Sequence, residues 1–266
     1  MRLCKGLAVD PLMLATQIAR EAGALLMTYY GGPLQIESKS VRNDLVTQAD
    51  RASEALIVRR LREIFPDSSI LGEETGMHHG TNGQRWIVDP LDGTTNFAHG
   101  YPPFCVSIGY EEDGKLAAGV IYAPKLDECF SARRGCGATL NGAPIRVSTI
   151  ATLADSLACT GFAPRYRERN LPEFAMMMDL VHAVRRDGSA ALDLAYVAAG
   201  RFDCFWEFGL HAWDIAAGAL IIREAGGRVS GIDGTALVIE GEHIMATNAH
   251  VHDEMVAVFR ERVTPL

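Results

Sequence analysis

The chain has 266 residues, 48% of them apolar and 22% charged, which is material for one or two ordinary globular domains and excludes a disordered or fibrous chain. A formal net charge of −8 argues against a nucleic-acid surface, which would be basic, but leaves room for anionic ligands because bound cations can reverse local charge. No run of about 18 apolar residues exists to cross a membrane. The six cysteines (Cys4, Cys105, Cys129, Cys136, Cys159 and Cys204) form no CxxC pair or zinc spacing and read as reduced thiols of a cytoplasmic protein.

Apolar positions at Leu14, Ile18, Ala22, Leu25, Leu26 and Tyr29 predict an amphipathic helix over 11–30, stopped by Gly31-Gly32-Pro33. A second helix is expected from about Arg51 to Phe65, burying Ala52, Ala55, Leu56, Leu61, Ile64 and Phe65, and ended by Pro66. Arg85 to Asp89 reads as a buried strand. Phe104 to Tyr110 and Ala117 to Tyr122 read as two more, joined by a turn at 111–115. Cys129 to Ala132 continues this antiparallel pattern, and 135–142 reads as turns. The second half predicts a helix over 190–199 ended by Gly200, a strand over 204–207 and a helix over 214–225 ended by Gly226-Gly227. The last strands are placed at 228–230 and 243–247. A boundary near 145–155 divides one unit, residues 1–266, into halves 1–147 and 148–266 that pack tightly, and the class is α+β or layered α/β.

Three acidic segments invite a chemical reading: Gly72-Glu73-Glu74-Thr75, Asp89-Pro90-Leu91-Asp92-Gly93-Thr94-Thr95 and Trp213-Asp214. Asp89 ends an apolar strand, Pro90 stiffens the turn after it, and that turn can bring Asp92 to the same side. Two carboxylates so close repel unless a proton or cation intervenes, and hard oxygen ligands suit Mg²⁺ or Mn²⁺. Gly93 permits close backbone approach to a ligand, and a helix opening at Thr94 would present free N–H groups to an anion. Each segment also has a plain reading: Asp92 and Asp214 as helix caps, Thr47-Gln-Ala-Asp50 as a capping box, Glu73 as a solvated loop acid. Spacing alone does not bring these distant acids together.

Asp44-Leu-Val-Thr-Gln-Ala-Asp50, Gly72-Glu-Glu-Thr75, Trp86 to Phe97, and Trp213 to Gly218 continuing to Glu224-Ala-Gly-Gly227 occur in the order and spacing of one family. The chain resembles the inositol monophosphatases, within the lithium-sensitive, magnesium-dependent phosphatase superfamily, over about residues 12–250. The resemblance implies a layered αβαβα sandwich, usually a homodimer. It implies Glu73, Asp89 and the Leu91 carbonyl as ligands of a first metal, Asp89, Asp92 and Asp214 as ligands of a second, and a third, looser ion near Glu73. Asp50 and Thr94 would orient and deprotonate the attacking water, and Gly93 and Thr94 N–H groups would cradle phosphate. Gly188, Ser189, Ala190 and Glu207, with Asp214, would meet the hydroxyls of the substrate. Lys39 matches a family lysine near the site.

Thr95-Asn96-Phe97 is similar to the inositol monophosphatase branch and favours myo-inositol monophosphate as substrate. Fructose 1,6-bisphosphate, 3′-phosphoadenosine phosphate, NADP and histidinol phosphate are the alternatives within the superfamily. Arg185 to Tyr196 is similar to bacterial members, some of which assist RNA polymerase in transcription antitermination, a protein-binding role independent of catalysis. His78, His79 and His99 read as surface histidines, His211 as packing or pocket lining, and Met176–Met178 as part of a helix with Phe174 and Leu180.

Overall fold

The computed structural model describes residues 9–38, 45–164 and 166–262. Lys39, Asp44 and Cys4 lie outside them. Helix α1 (Pro11–Tyr29) starts where the Asp10 carboxylate accepts from the Leu12 N–H at 2.9 Å, with Pro11 in the first turn. Leu14, Ile18, Ala22 and Leu26, one turn apart, are its buried stripe. A two-stranded ribbon, β1 (Ile36–Ser38) and β2 (Leu45–Thr47), leads into α2 (Gln48–Ile64).

The strands β3 (Ser69–Gly72), β4 (Gly76–His78) and β5 (Gln84–Asp92) follow, then the short helix α3 (Thr94–Ala98). Next come β6 (Cys105–Glu112), β7 (Lys115–Ala123), β8 (Glu128–Arg133), β9 (Ala138–Leu140) and β10 (Ala143–Ile145). They form one sheet in the order β10-β9-β8-β7-β6-β5-β3-β4. Its pairs are antiparallel except β3 with β5, where Ser69 lies opposite Arg85 and Gly72 opposite Val88.

The second half contributes β11 (Leu157–Thr160), α4 (Arg167–Leu180), β12 (Ala183–Arg185), α5 (Ala190–Ala198) and β13 (Cys204–Phe208). It ends with α6 (Ala212–Glu224), β14 (Arg228–Ser230), β15 (His243–Thr247) and α7 (His252–Arg262). Its sheet runs β12-β11-β13-β15-β14, parallel at β11 and antiparallel around β15.

Three apolar cores separate the layers. Leu26 and Ile57 of α1 and α2 meet Trp86 and Val106 on one face of the first sheet. Ile87 and Phe130 on its other face meet Ala195 and Ile221 of α5 and α6, which also cover Phe205 and Ala246 of the second sheet. Met177 of α4 and Met255 and Phe259 of α7 close the far side over Trp206. The order is α, β, α, β, α, as the resemblance implies. Helix α6 sits close on the first sheet because Gly119 lacks a side chain: a Cβ there would lie 3.0 Å from the Ala217 backbone.

Several elements differ from expectation. Residues 135–142 are not turns alone, since Ala138–Leu140 is a strand next to the sheet's edge, paired with β8 and β10. Helix α2 begins three residues before Arg51 and is rotated from the expected face: Ala49, Asp50, Ser53, Glu54, Ile57 and Leu61 are buried, whereas Ala55 is exposed. The cause is tertiary, because α2 buries a polar face against the acidic loops. No helix among the described residues is long and apolar enough to cross a membrane.

Candidate active site

Asp89 and Asp92 are three residues apart, a spacing that in a regular strand points side chains to opposite faces. The structure resolves this with a bulge, not with a turn beyond the strand. Asp89 pairs with Ser107 and Asp92 with Cys105, so the β5 side carries one extra residue, Pro90-Leu91 filling the irregularity. Both carboxylates therefore emerge on one side. Asp214, in the first turn of α6, joins them: ligand oxygens of Asp89, Asp92 and Asp214 lie within 4.8 Å of one another.

Each acid is also held by the backbone. The Leu91 N–H donates to Asp89 Oδ1 at 3.0 Å. The Ser189 hydroxyl and the Ala191 N–H, at the start of α5, donate to Asp92 Oδ2 at 2.6 and 2.8 Å. The His211 N–H donates to Asp214 Oδ2 at 2.7 Å, so Asp214 is the third helical residue of a capping box with His211 at the N-cap, not the N-cap expected from the sequence. Glu73 follows β3, and its N–H donates to the Val88 carbonyl at 3.2 Å.

Helix α2 presents three polar groups to this cluster from one face. Asp50 Oδ1 accepts from the Thr94 hydroxyl at 2.9 Å, while its Oδ2 accepts from the Thr47 N–H and hydroxyl in the expected capping box. Ser53 donates to the Pro90 carbonyl at 2.9 Å. Glu54 accepts from the N–H groups of Glu74 and Thr75. The Thr94 hydroxyl also lies 3.1 Å from the Leu91 carbonyl, which faces the same space. Gly93 opens α3 at φ +90, the left-handed region where a side chain is strained, and no side-chain hydrogen bond caps that helix start.

Burial and mutual repulsion set the charge state. Burial, then Glu73, Asp92 and Asp214, push the Asp89 carboxyl well above the usual carboxylate range. Asp92 is pushed up to about 6 by burial and by Asp214, against the lowering by Ser189 and Ala191. Asp50 is raised by burial. The donors are all oxygen and crowded enough to repel, so the set fits a hard divalent cation.

The acids open into a cleft of about 1210 Å³, also lined by Glu207, Gly188, Ala190 and Arg186. Glu207, 5% exposed on β13, is raised well above its usual range by burial and then by Asp193. His211 stacks on Trp213 at the rim, centroids 4.7 Å apart and 3° from parallel. A separate groove of about 760 Å³ beside Arg59, Arg62 and His78 includes none of the clustered aspartates.

The structure thus brings together Asp50, Glu73, Asp89, Leu91, Asp92, Gly93, Thr94 and Asp214, with Gly188, Ala190 and Glu207 lining the same cleft. Ser189 lines the same cleft but is 1% exposed, and its hydroxyl donates to Asp92. Sequence reading missed Ser53, Glu54 and Asn96. Asn96 donates to the carbonyls of Pro103 and Asp187 at 2.6 and 2.7 Å, tying the α3 loop to the loop before α5. It also missed a second group, Cys159, Asp187 and Asp193, where Asp193 Oδ1 has no hydrogen-bond partner and burial raises the carboxyl well above its usual range.

A layered α+β fold with an all-oxygen acidic centre facing a cleft is the frame of a metal-dependent hydrolase of phosphate esters. The chain belongs to the Inositol monophosphatase family, whose family model matches residues 9–264, and it is a phosphatase. It is 46% identical over 248 residues to an inositol-1-monophosphatase of Synechocystis sp., covering 92% of this chain and 86% of that one. It is 41% identical to the Nus factor SuhB of Pseudomonas aeruginosa, covering 96% and 97%. The solved inositol monophosphatase of Anabaena (Nostoc) sp. superposes with a TM-score of 0.86 at 46% identity, covering 96% of each chain.

Proposed function

We propose that the protein catalyses magnesium-dependent hydrolysis of a small phosphate monoester, with myo-inositol monophosphate the foremost substrate. The observation that carries this is the convergence of Asp89, Asp92 and Asp214 on one point beside Glu73 and the open start of α3. Glu73, Asp89 and the Leu91 carbonyl would hold one Mg²⁺, Asp89, Asp92 and Asp214 a second, and the Glu73 side a looser third, with Mn²⁺ able to substitute. Bound there, the cations neutralise the phosphate, acidify the attacking water and stabilise the departing alkoxide.

The protein's own part follows from its geometry. The Gly93 and Thr94 N–H groups receive phosphate oxygens, because the α3 start offers them uncapped by a side chain. Thr94 directs its proton to Asp50, which leaves the Thr94 oxygen free to accept from the incoming water. Asp50 is buried and its proton affinity raised, so it can take up that proton. Glu207, with Asp214 and the backbone at Gly188 and Ala190, faces the substrate's hydroxyls across the cleft. Direct attack by water is favoured over a phospho-enzyme because the nearby acids are committed to the cations. The unit is one phosphatase module over 1–266, active as a cytoplasmic homodimer.

Phosphate release would be measured across inositol monophosphate, fructose 1,6-bisphosphate, 3′-phosphoadenosine phosphate, NADP and histidinol phosphate, with and without Mg²⁺. The expected result is metal-dependent release, fastest from inositol monophosphate and inhibited by lithium. No metal-dependent release from any of them would overturn the reading. A second reading, transcription antitermination through RNA polymerase, is supported by the relatives named Nus factor SuhB and by the exposed Arg185 and Arg186. Pull-down of RNA polymerase by an inactive Asp89→Asn chain tests it separately from catalysis.

A further inference from the structure

We infer that Glu54 is the positioning residue for Glu73 and sets the protein's affinity for metal on that side of the site. The inference rests on the metal-dependent reading above. Glu54 lies one turn after Asp50 on the buried face of α2 and is 1% exposed. Its two oxygens are both used: Oε2 accepts from the Glu74 N–H and Oε1 from the Thr75 N–H, each at 2.8 Å. These are the two residues directly after Glu73. On the other side, the Glu73 N–H is fixed to Val88 of β5, one residue before Asp89. Glu73 is thus pinned between the strand that carries Asp89 and the helix that carries Asp50.

The turn is closed by the β3–β4 pairing of Gly72 with Gly76, and Glu54 ties it to α2. It joins β3 to β4, the edge strand of the sheet, and Thr75 and Met77 are exposed. Gly72 adds an independent sign that the carboxylate belongs there. A Cβ on Gly72 would lie 2.7 Å from Glu54 Cδ and 2.8 Å from each oxygen, so the absent side chain makes the space that Glu54 occupies. A buried carboxylate is tolerated where it is hydrogen-bonded, and both oxygens of Glu54 find their N–H donors on this one turn.

The test uses the full chain with Glu54→Ala, Glu54→Gln, Gly72→Ala and the Gly72→Ala/Glu54→Ala double variant. Mn²⁺ affinity is read directly by electron paramagnetic resonance or calorimetry, amide exchange at Glu74 and Thr75 by NMR, and kcat against Mg²⁺ concentration. Groups that orient metal ligands typically change metal affinity about 10–100-fold when removed. Glu54→Ala should therefore weaken Mn²⁺ at least about tenfold, with exchange at both amides accelerated and kcat recovered at saturating metal. Glu54→Gln, which keeps one acceptor, should fall between. Gly72→Ala should reproduce the loss by displacing the carboxylate, and should add nothing once Glu54 is alanine. Unchanged Mn²⁺ affinity in Glu54→Gln and Glu54→Ala overturns the inference, as does an additive effect in the double variant. A wild-type chain that binds Mn²⁺ but releases no phosphate would sink the proposed reaction while leaving this measurement decisive for Glu54.

Discussion

Ser189→Ala separates two roles for one residue. The family resemblance sets Ser189 against the substrate, whereas the structure puts its hydroxyl 2.6 Å from Asp92 Oδ2. Ser189 is 1% exposed, and a hydrogen bond to a charged acceptor contributes about 1.5–3 kcal/mol. At about 1.4 kcal/mol per decade this is roughly a 10- to 100-fold loss of apparent Mg²⁺ affinity. The Ala191 N–H, 2.8 Å from the same oxygen, holds the loss toward the lower end. Ser189 is also the foremost group that lowers the Asp92 pKa, so its removal lifts that carboxyl above about 6 and lets protons compete with Mg²⁺ at higher pH. The assay is initial rate against Mg²⁺ at fixed substrate, then against substrate at saturating Mg²⁺, repeated at pH 6 and 8. The expected result is a raised Mg²⁺ requirement, larger at pH 6, with substrate KM unchanged once metal saturates. A raised substrate KM with an unaltered Mg²⁺ requirement would refute the reasoning and return Ser189 to the substrate.

Asp89→Asn should abolish turnover with no loss of metal-free melting temperature, because the charge it removes is one that burial and its neighbours disfavour; Asp214→Asn should likewise be inactive with circular dichroism unchanged. Thr94→Val should lower kcat by about 10²–10⁴ in steady-state assays, the range for lost proton transfer, whereas Thr94→Ser keeps most activity. His252 is buried between the hydroxyls of Ser230 and Thr247, and burial lowers its pKa from 6.5 to about 4. A lowered folded pKa means stability that is fully present above pH 6.5 and lost as pH falls toward 4, on the order of 3 kcal/mol. Chemical denaturation at saturating Mg²⁺ should show this slope in the wild type and a flatter one in His252→Asn; equal slopes would remove His252 as its cause.

Where apolar periodicity reports burial, the sequence was legible. Helix α1 and strands β5 to β7, β14 and β15 stand close to their expected places for that reason. Reading failed where a helix buries polar groups. On α2 the inward positions are Asp50, Ser53 and Glu54, so an apolar count rotated the helix. On α4 the helix expected around Phe174, Met176–Met178 and Leu180 is present, but its inward positions are Asn170, Glu173 and Met177, with Pro172 in the first half, so apolar residues alone do not mark its buried face. Asn170 offsets its burial by accepting from the Trp206 indole N–H at 2.7 Å and donating to Thr160 and Gly161, partners remote from it in sequence or on another element. Strands β3 and β11 are only four residues long and gain their order from neighbours. The aspartates of the site were legible as motifs, but their meeting depends on a bulge that no residue count reveals.

The sequence left open whether Asp50, Asp92 and Asp214 are caps or members of a site; the structure makes the two readings compatible for Asp50 and Asp214, whereas the short helix after Asp92 starts at Gly93 without a side-chain cap. Asp50 closes the capping box of α2 with one oxygen and holds Thr94 with the other. Asp214 caps α6 through Oδ2 and still brings an oxygen into the aspartate cluster. Asp92 is held by the start of α5. A carboxylate has two oxygens and about four acceptor positions, so a backbone N–H fixes the group without exhausting it. The arrangement is strained by its own charge, as the raised Asp89 and Asp92 pKa values record. Helix starts, with their free N–H groups and positive end, are the element best able to hold such acids still against mutual repulsion. That explains why Asp50 and Asp214 occupy first turns and Asp92 lies against the start of α5, while Asp89 is held inside β5 by the Leu91 N–H. Glu73, whose turn has no helix start to hold it, is the member of the group that needs Glu54.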